Sequence, residues 1–260
     1  MAAEVMSAGV AAPGLRTPGV LAIVDELLRD RSAALARCEH GAELAALARV
    51  LLATIVVGAA MFGVALGTYR GGAQLAFAAL KVPMALVGTA AVCAPALTAV
   101  GRALDRPASL PRDLALLLMA LARGALVLLA LAPLVLAARA AELDYHRVII
   151  LASGCAAVAA IAALTTLLHG VRRRGRRGAA TTIAVVAIVF AGVGAQAAWT
   201  LRPFVVRPQS PTAPFVRDLD GSLYDALRQS ARSAMGIYDP GWPALPVLLP
   251  APASPDEAAP

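Results

Sequence analysis

Four polar or charged side chains in or beside long apolar stretches are of the types that hold an anionic group: Lys81, Arg123, Gln196 and Arg202. Lys81 is the single lysine among 23 basic residues and lies in the stretch Leu75-Ala-Phe-Ala-Ala-Leu-Lys81-Val-Pro83. Its ammonium is a compact point charge on a flexible stem, whereas the two arginines present planar forks. An ionisable residue at membrane depth is costly and marks a functional site by default. Lys81 therefore has two readings. Facing an interior cavity, it would hold an anionic headgroup or a small anion. Otherwise it snorkels its amine to headgroups ~10 Å away, the rise of seven helical residues. Gln74, seven residues earlier, shares its helical face. Arg123 lies near the middle of an apolar segment, too deep to reach water easily. It should donate to carbonyls freed by Pro83, Pro95 or Pro133, or to Gln196. A structural clamp and a ligand-facing charge both fit that position.

Other chemistry finds little footing. The sequence contains no HExxH, GxSxG, P-loop or GxGxxG pattern. His40, His146 and His169 show no paired ligand spacing, and Cys38, Cys93 and Cys155 show no CxxC or zinc spacing. No metal or cofactor is expected. The apolar segments, as bounded below, contain no Asp or Glu, which argues against proton or sodium coupling. Lys81 as a base in a lipid enzyme lacks a second acid or nucleophile nearby, so a non-enzymatic protein is expected. The net charge of +7 comes without any nucleic-acid motif, so no nucleic-acid partner is expected.

The elements that must position these residues follow from composition. Of 260 residues, 60% are hydrophobic and 15% charged, with a mean hydropathy of +0.75. That is more apolar than a soluble domain and predicts an all-α, polytopic membrane helix bundle. Five segments approach the ~20 residues needed to cross ~30 Å of hydrocarbon. They run about 50–68, 74–100, 114–138, 148–169 and 180–201. Residues 1–16 read as disordered. Residues 17–49 read as an amphipathic helix, opened by Thr17-Pro18, that lies on the membrane surface or packs on the bundle's cytoplasmic end. Residues 202–260 form a Pro-rich tail with a short helix at about 219–235. Gly63 and Gly67, and Gly192 with Ala195 and Gln196, allow close helix approach.

Orientation follows arginine asymmetry. Arg49, then Arg102, Arg106 and Arg112, then Arg172, Arg173, Arg174, Arg176 and Arg177 fall on one side. The other side has Arg70, Arg139 and Arg147. The first side is expected to be cytoplasmic, with anionic headgroups met by the Arg172–Arg177 loop and the tail outside. Tyr69, Tyr145, Trp199 and Phe204 would then lie at the outer interface, where amphipathic rings settle.

Several short motifs carry a resemblance. They are Tyr69-Arg-Gly-Gly-Ala-Gln74, Lys81-Val-Pro83, Cys93-Ala-Pro95, Leu131-Ala-Pro133, Tyr145-His146, Gln196-Ala-Ala-Trp199-Thr-Leu-Arg202-Pro203-Phe204 and Pro214-Phe215-Val-Arg217. Over about residues 18–238 the chain resembles an uncharacterised family of bacterial multi-pass inner-membrane proteins with a W-x-L-R-P-F exit motif. Its layout also resembles the Rab-interacting five-span membrane proteins of the Golgi. The resemblance implies a shared fold and an inner-membrane location, and it implies no reaction. The expectation is a scaffold or assembly partner with a membrane-protein partner or a second copy of itself. The alternative is a binder or passage for an anionic lipid or small anion, through an outward cavity lined by Lys81 and Arg123.

Overall fold

The computed structural model describes residues 20–29, 31–40, 44–143, 145–175, 178–206 and 215–216. These contain seven helices and no strand. The expected disordered segment 1–16, the Thr17-Pro18 cap and the tail helix at 219–235 lie outside the described residues. So do Arg176 and Arg177. The chain divides into two units after Leu219, and every described residue belongs to the first.

Two short helices, α1 (Val20–Arg29) and α2 (Arg31–His40), precede five long ones. These are α3 (Leu44–Gly67), α4 (Ala73–Ala103), α5 (Leu110–Ala140), α6 (Tyr145–Arg173) and α7 (Ala179–Thr200). All five are long and apolar enough to cross a membrane, and the chain is a multi-pass membrane protein. Each of α3 to α6 outruns its apolar core at one end or both. Apolarity fixes only the hydrocarbon-facing part, while backbone hydrogen bonding carries the helix on through Arg49, Arg102, Asp113 and Arg139. At 1.5 Å per residue, α4 and α5 are each ~46 Å long.

Short connections make the long helices alternate in direction. One end, the arginine end, carries the α4–α5 and α6–α7 connections. The other, the tyrosine end, carries the α3–α4 and α5–α6 turns and the exit from α7. The centre is α5, packed against α3 and α6, while α4 lies on α3 and α7 lies chiefly on α4. Gly63 sets how closely α3 and α4 approach: a Cβ there would run into the Ala78 carbonyl. Gly58 does the same against α5, where a Cβ would lie 2.8 Å from the Ala125 oxygen. These obstacles are backbone and cannot rotate away. Gly63→Ala is therefore expected to lower stability by ~1–3 kcal/mol, the usual range for overpacking. Gly154→Ala, where a Cβ meets nothing within 4 Å, should be neutral in the same thermal unfolding series.

Two apolar clusters stack along the bundle. The first, at the arginine end, takes in Ile23, Leu27, Ala34 and Leu35 from α1 and α2 beside Leu116, Met119 and Leu167. The N-terminal segment is a folded-back pair of helices and not one continuous helix. Arg37 donates to Glu26, eleven positions earlier, at 3.0 Å. A straight helix would put those two residues ~16 Å apart along its axis. The second cluster, at the tyrosine end, gathers Phe62, Leu66, Tyr69, Ala78, Leu128, Val135 and Val148. It also contains Val205, from beyond the last helix.

The prolines do not interrupt their helices, since α4 runs on through Pro83 and Pro95 and α5 through Pro133. In α7 the buried residues are Ala179, Thr182, Ile183 and Val186, all in its first half. A Cβ placed on Gly192 would meet nothing within 4 Å, and Ala195 and Gln196 are exposed, so this patch makes no close helix approach among the described residues.

Candidate functional site

Beyond Thr200 the chain leaves its helix and crosses the face of α4 at the tyrosine end. Non-helical backbone at this level has carbonyls that hydrocarbon cannot satisfy, so it persists only where protein supplies donors. Lys81 and Gln74 are those donors. Lys81 Nζ donates to the Pro203 carbonyl at 2.9 Å. Gln74 Nε2 donates to the Phe204 carbonyl at 2.8 Å and lies 3.5 Å from that of Pro203. Both side chains are fully buried, at 0% exposure. Their spacing of seven residues, two turns of α4, puts both on one strip of helix, so they grip successive carbonyls.

Apolar and aromatic contacts complete the seat. Val205 and Val206 are buried. Phe215 meets Phe77 edge to face, with ring centroids 5.2 Å apart. The Lys81 ammonium lies 5.1 Å from the centre of the Phe215 ring, where the quadrupole attracts a cation. A carbonyl dipole and an aromatic face thus stabilise a buried charge that contacts no carboxylate among the described residues. Arg202 stacks over Trp199 at 3.5 Å from the ring centre. Lys81 therefore does not snorkel and reaches no solvent. The sequence expectations for it do not include an acceptor on the chain's own backbone.

The four residues read as an anion site do not form one cluster. Lys81 and Arg202 flank the exit from α7. Arg123, on α5, is half-buried and turns toward α6, where Nη1 lies 3.5 Å from Thr166 Oγ1. Gln196 is exposed on α7. Thr166 is not one of the acceptors that the sequence suggests for Arg123. It is fully buried and donates its own hydroxyl proton to the Ala162 carbonyl at 3.0 Å. Comparison with protein-family models, curated proteins and solved structures finds no match for this chain.

A second polar network lies at the arginine end. Asp113, in the first turn of α5, is 4% exposed. Its Oδ1 accepts from Arg174 Nη1 at 2.5 Å and its Oδ2 from Thr98 Oγ1 at 2.8 Å. Arg174 also donates to the Arg112 carbonyl at 3.0 Å. Arg106 donates to the Gly175 carbonyl at 2.7 Å and to the Val171 carbonyl, taking up acceptors at the end of α6. Burial pushes the Arg106 pKa below the ordinary guanidinium range. The Arg174 charge acts the same way, and Asp113 opposes both. Beside these groups is a cavity of about 20 Å³, lined by Arg106, Asp113, Arg174 and Thr182 among others. That is room for about one water.

Asp113 lies just outside the acid-free apolar run 114–138 but inside α5, because the helix begins four residues before that run does. The only sequence signal is its place after Pro111 in a first turn, where a carboxylate commonly complements the helix dipole.

Proposed function

We propose that this chain is a non-enzymatic integral membrane protein of a bacterial inner membrane, acting as a scaffold or assembly partner. One observation carries the reading: Lys81 and Gln74, the most deeply buried polar donors of α4, hold the chain's own backbone. A catalytic or transport site needs such groups turned toward a substrate. Here they secure the start of the C-terminal tail to the bundle. Arginine asymmetry supports a cytoplasmic arginine end and an outward tail. The exposed Arg102, Arg112, Arg172 and Arg173 then meet anionic headgroups.

The reading is tested by cross-linking in intact membranes, followed by affinity purification in mild detergent. The wild-type chain is expected to bring down a defined partner or a second copy of itself. Lys81→Met combined with Gln74→Ala should reduce that yield several-fold. Recovery of the isolated chain alone, repeatedly and after cross-linking, would overturn the scaffold reading.

The anion-binding alternative rests on Arg123, a half-buried basic residue in mid-helix. It requires that Lys81→Met abolish retention of anionic lipid in native mass spectrometry. Unchanged retention is expected here, since the Lys81 amine is already taken by Pro203.

A further inference from the structure

Two charges of opposite sign share one hollow at the tyrosine end. A hollow of about 190 Å³ is lined by Tyr69, Arg139, Glu142 and Leu143. It is smaller than the ~300–1,000 Å³ of sites that enclose drug-sized ligands, and suits a fragment or a headgroup. Arg139 and Glu142 are both exposed, and they form no ion pair with each other or with another described residue. The Tyr69 ring is backed by Tyr145, with centroids 6.4 Å apart.

The backbone makes Glu142 notable. It follows the end of α5 with φ of 52°, the left-handed conformation in which glycine is the usual residue. The Leu143 amide closes the helix by donating to the Ala138 carbonyl at 3.0 Å. Glycine would serve that turn with less strain, yet the position carries a carboxylate that pairs with no cation among the described residues.

The charge pattern selects the ligand class. A simple anion meets repulsion from Glu142, a simple cation meets it from Arg139, and a neutral molecule leaves both charges unanswered. A zwitterion answers both. Both side chains line the one small hollow, which suits a ligand whose two charges are separated by a short, two-carbon bridge. We infer that this hollow binds a phosphoethanolamine group. Its phosphate accepts from the Arg139 fork, and its primary ammonium donates to Glu142 against the Tyr69 ring. A choline headgroup has no N–H to donate, so Glu142 discriminates against it. The hollow lies where apolar helices give way to turns, the level at which lipid headgroups are found.

The test uses the full-length chain in detergent and native mass spectrometry. Phosphatidylethanolamine, phosphatidylcholine and phosphatidylglycerol are offered at equal mole fraction, and soluble O-phosphoethanolamine serves as competitor. Ethanolamine lipid is expected to be retained at least about tenfold better than choline lipid, the preference a single charged hydrogen bond of ~1.5–3 kcal/mol supports. Arg139→Gln and Glu142→Gln should each abolish the preference. Glu142→Gly should abolish it too while raising the melting temperature, because it relieves the backbone, and so separates lost binding from lost folding. Displacement by O-phosphoethanolamine assigns the site to the headgroup alone. Lipid retention without displacement assigns it to the membrane lipid, and binding of the soluble zwitterion alone assigns it to a free metabolite. Equal retention of ethanolamine and choline lipids with no binding of the soluble zwitterion, or wild-type binding in both Arg139→Gln and Glu142→Gly, would overturn the inference.

Discussion

Asp113→Ala is expected to destabilise the bundle by ~3–5 kcal/mol, the cost of removing one partner from a buried ion pair. The loss exceeds that of one hydrogen bond because three groups suffer. Arg174, whose side chain is 11% exposed, keeps its charge and loses this counter-ion. Thr98 loses the shorter of its two acceptors and keeps only the Ala94 carbonyl at 3.3 Å. Arg106, already disfavoured by burial and by Arg174, loses the neighbour that offsets them. The pair is not itself a large source of stability, since desolvation offsets much of its attraction. Removing both charges with apolar residues, as in Asp113→Leu with Arg174→Met, should therefore recover most of the loss. Thermal unfolding of the two single variants and the double variant measures this as a cycle. A double variant as unstable as Asp113→Ala would contradict the account.

Lys81→Met should behave in the opposite way. It keeps most of the bulk, removes a buried ammonium whose desolvation costs several kcal/mol, and loses one charged hydrogen bond worth ~1.5–3 kcal/mol. Those terms act on different parts of the molecule. The bundle is expected to keep its melting temperature or gain slightly. The segment Leu201–Val206 should loosen, because the Pro203 carbonyl loses its close donor and keeps only Gln74 Nε2, 3.5 Å away. At ~1.4 kcal/mol per factor of ten, hydrogen–deuterium exchange in that segment should quicken by ~10–100-fold. Gln74→Ala should act in the same direction, since Phe204 loses its donor. Lys81→Arg should only partly restore protection, because a rigid fork does not replace a point charge in this seat. Unchanged exchange in Lys81→Met would mean that the segment is held by apolar contacts alone.

Much of the fold is legible in the sequence because hydrocarbon demands long apolar runs, and each of the five appears within a few residues of its helix. Features of tertiary origin are not legible. Nothing local tells α1 to fold back on α2; the turn follows from burying Ile23, Leu27 and Leu35 in the same cluster at the arginine end. Lys81 stands out by composition, and Trp199–Phe204 stands out as a membrane exit. The bond that joins them spans 122 positions, and no periodicity encodes it. Asp113 is hidden for a different reason. An acid at the edge of an apolar run looks like ordinary first-turn chemistry until Arg174 arrives from 61 positions away. Polar groups near membrane depth are thus readable as present, while their partners are set by packing.

Photo-cross-linking from position 215 tests the central claim most directly. With Phe215 replaced by p-benzoylphenylalanine, irradiation in native membranes should attach it to α4, through Phe77 and the Lys81 stem. The adduct should appear on the tryptic peptide Gly71–Lys81, which trypsin releases after Arg70 and Lys81. In Lys81→Met with Gln74→Ala the corresponding peptide runs on to Arg102, and its adduct yield should fall sharply. Adducts confined to other helices, or a yield indifferent to both substitutions, would contradict a tail segment seated on Lys81.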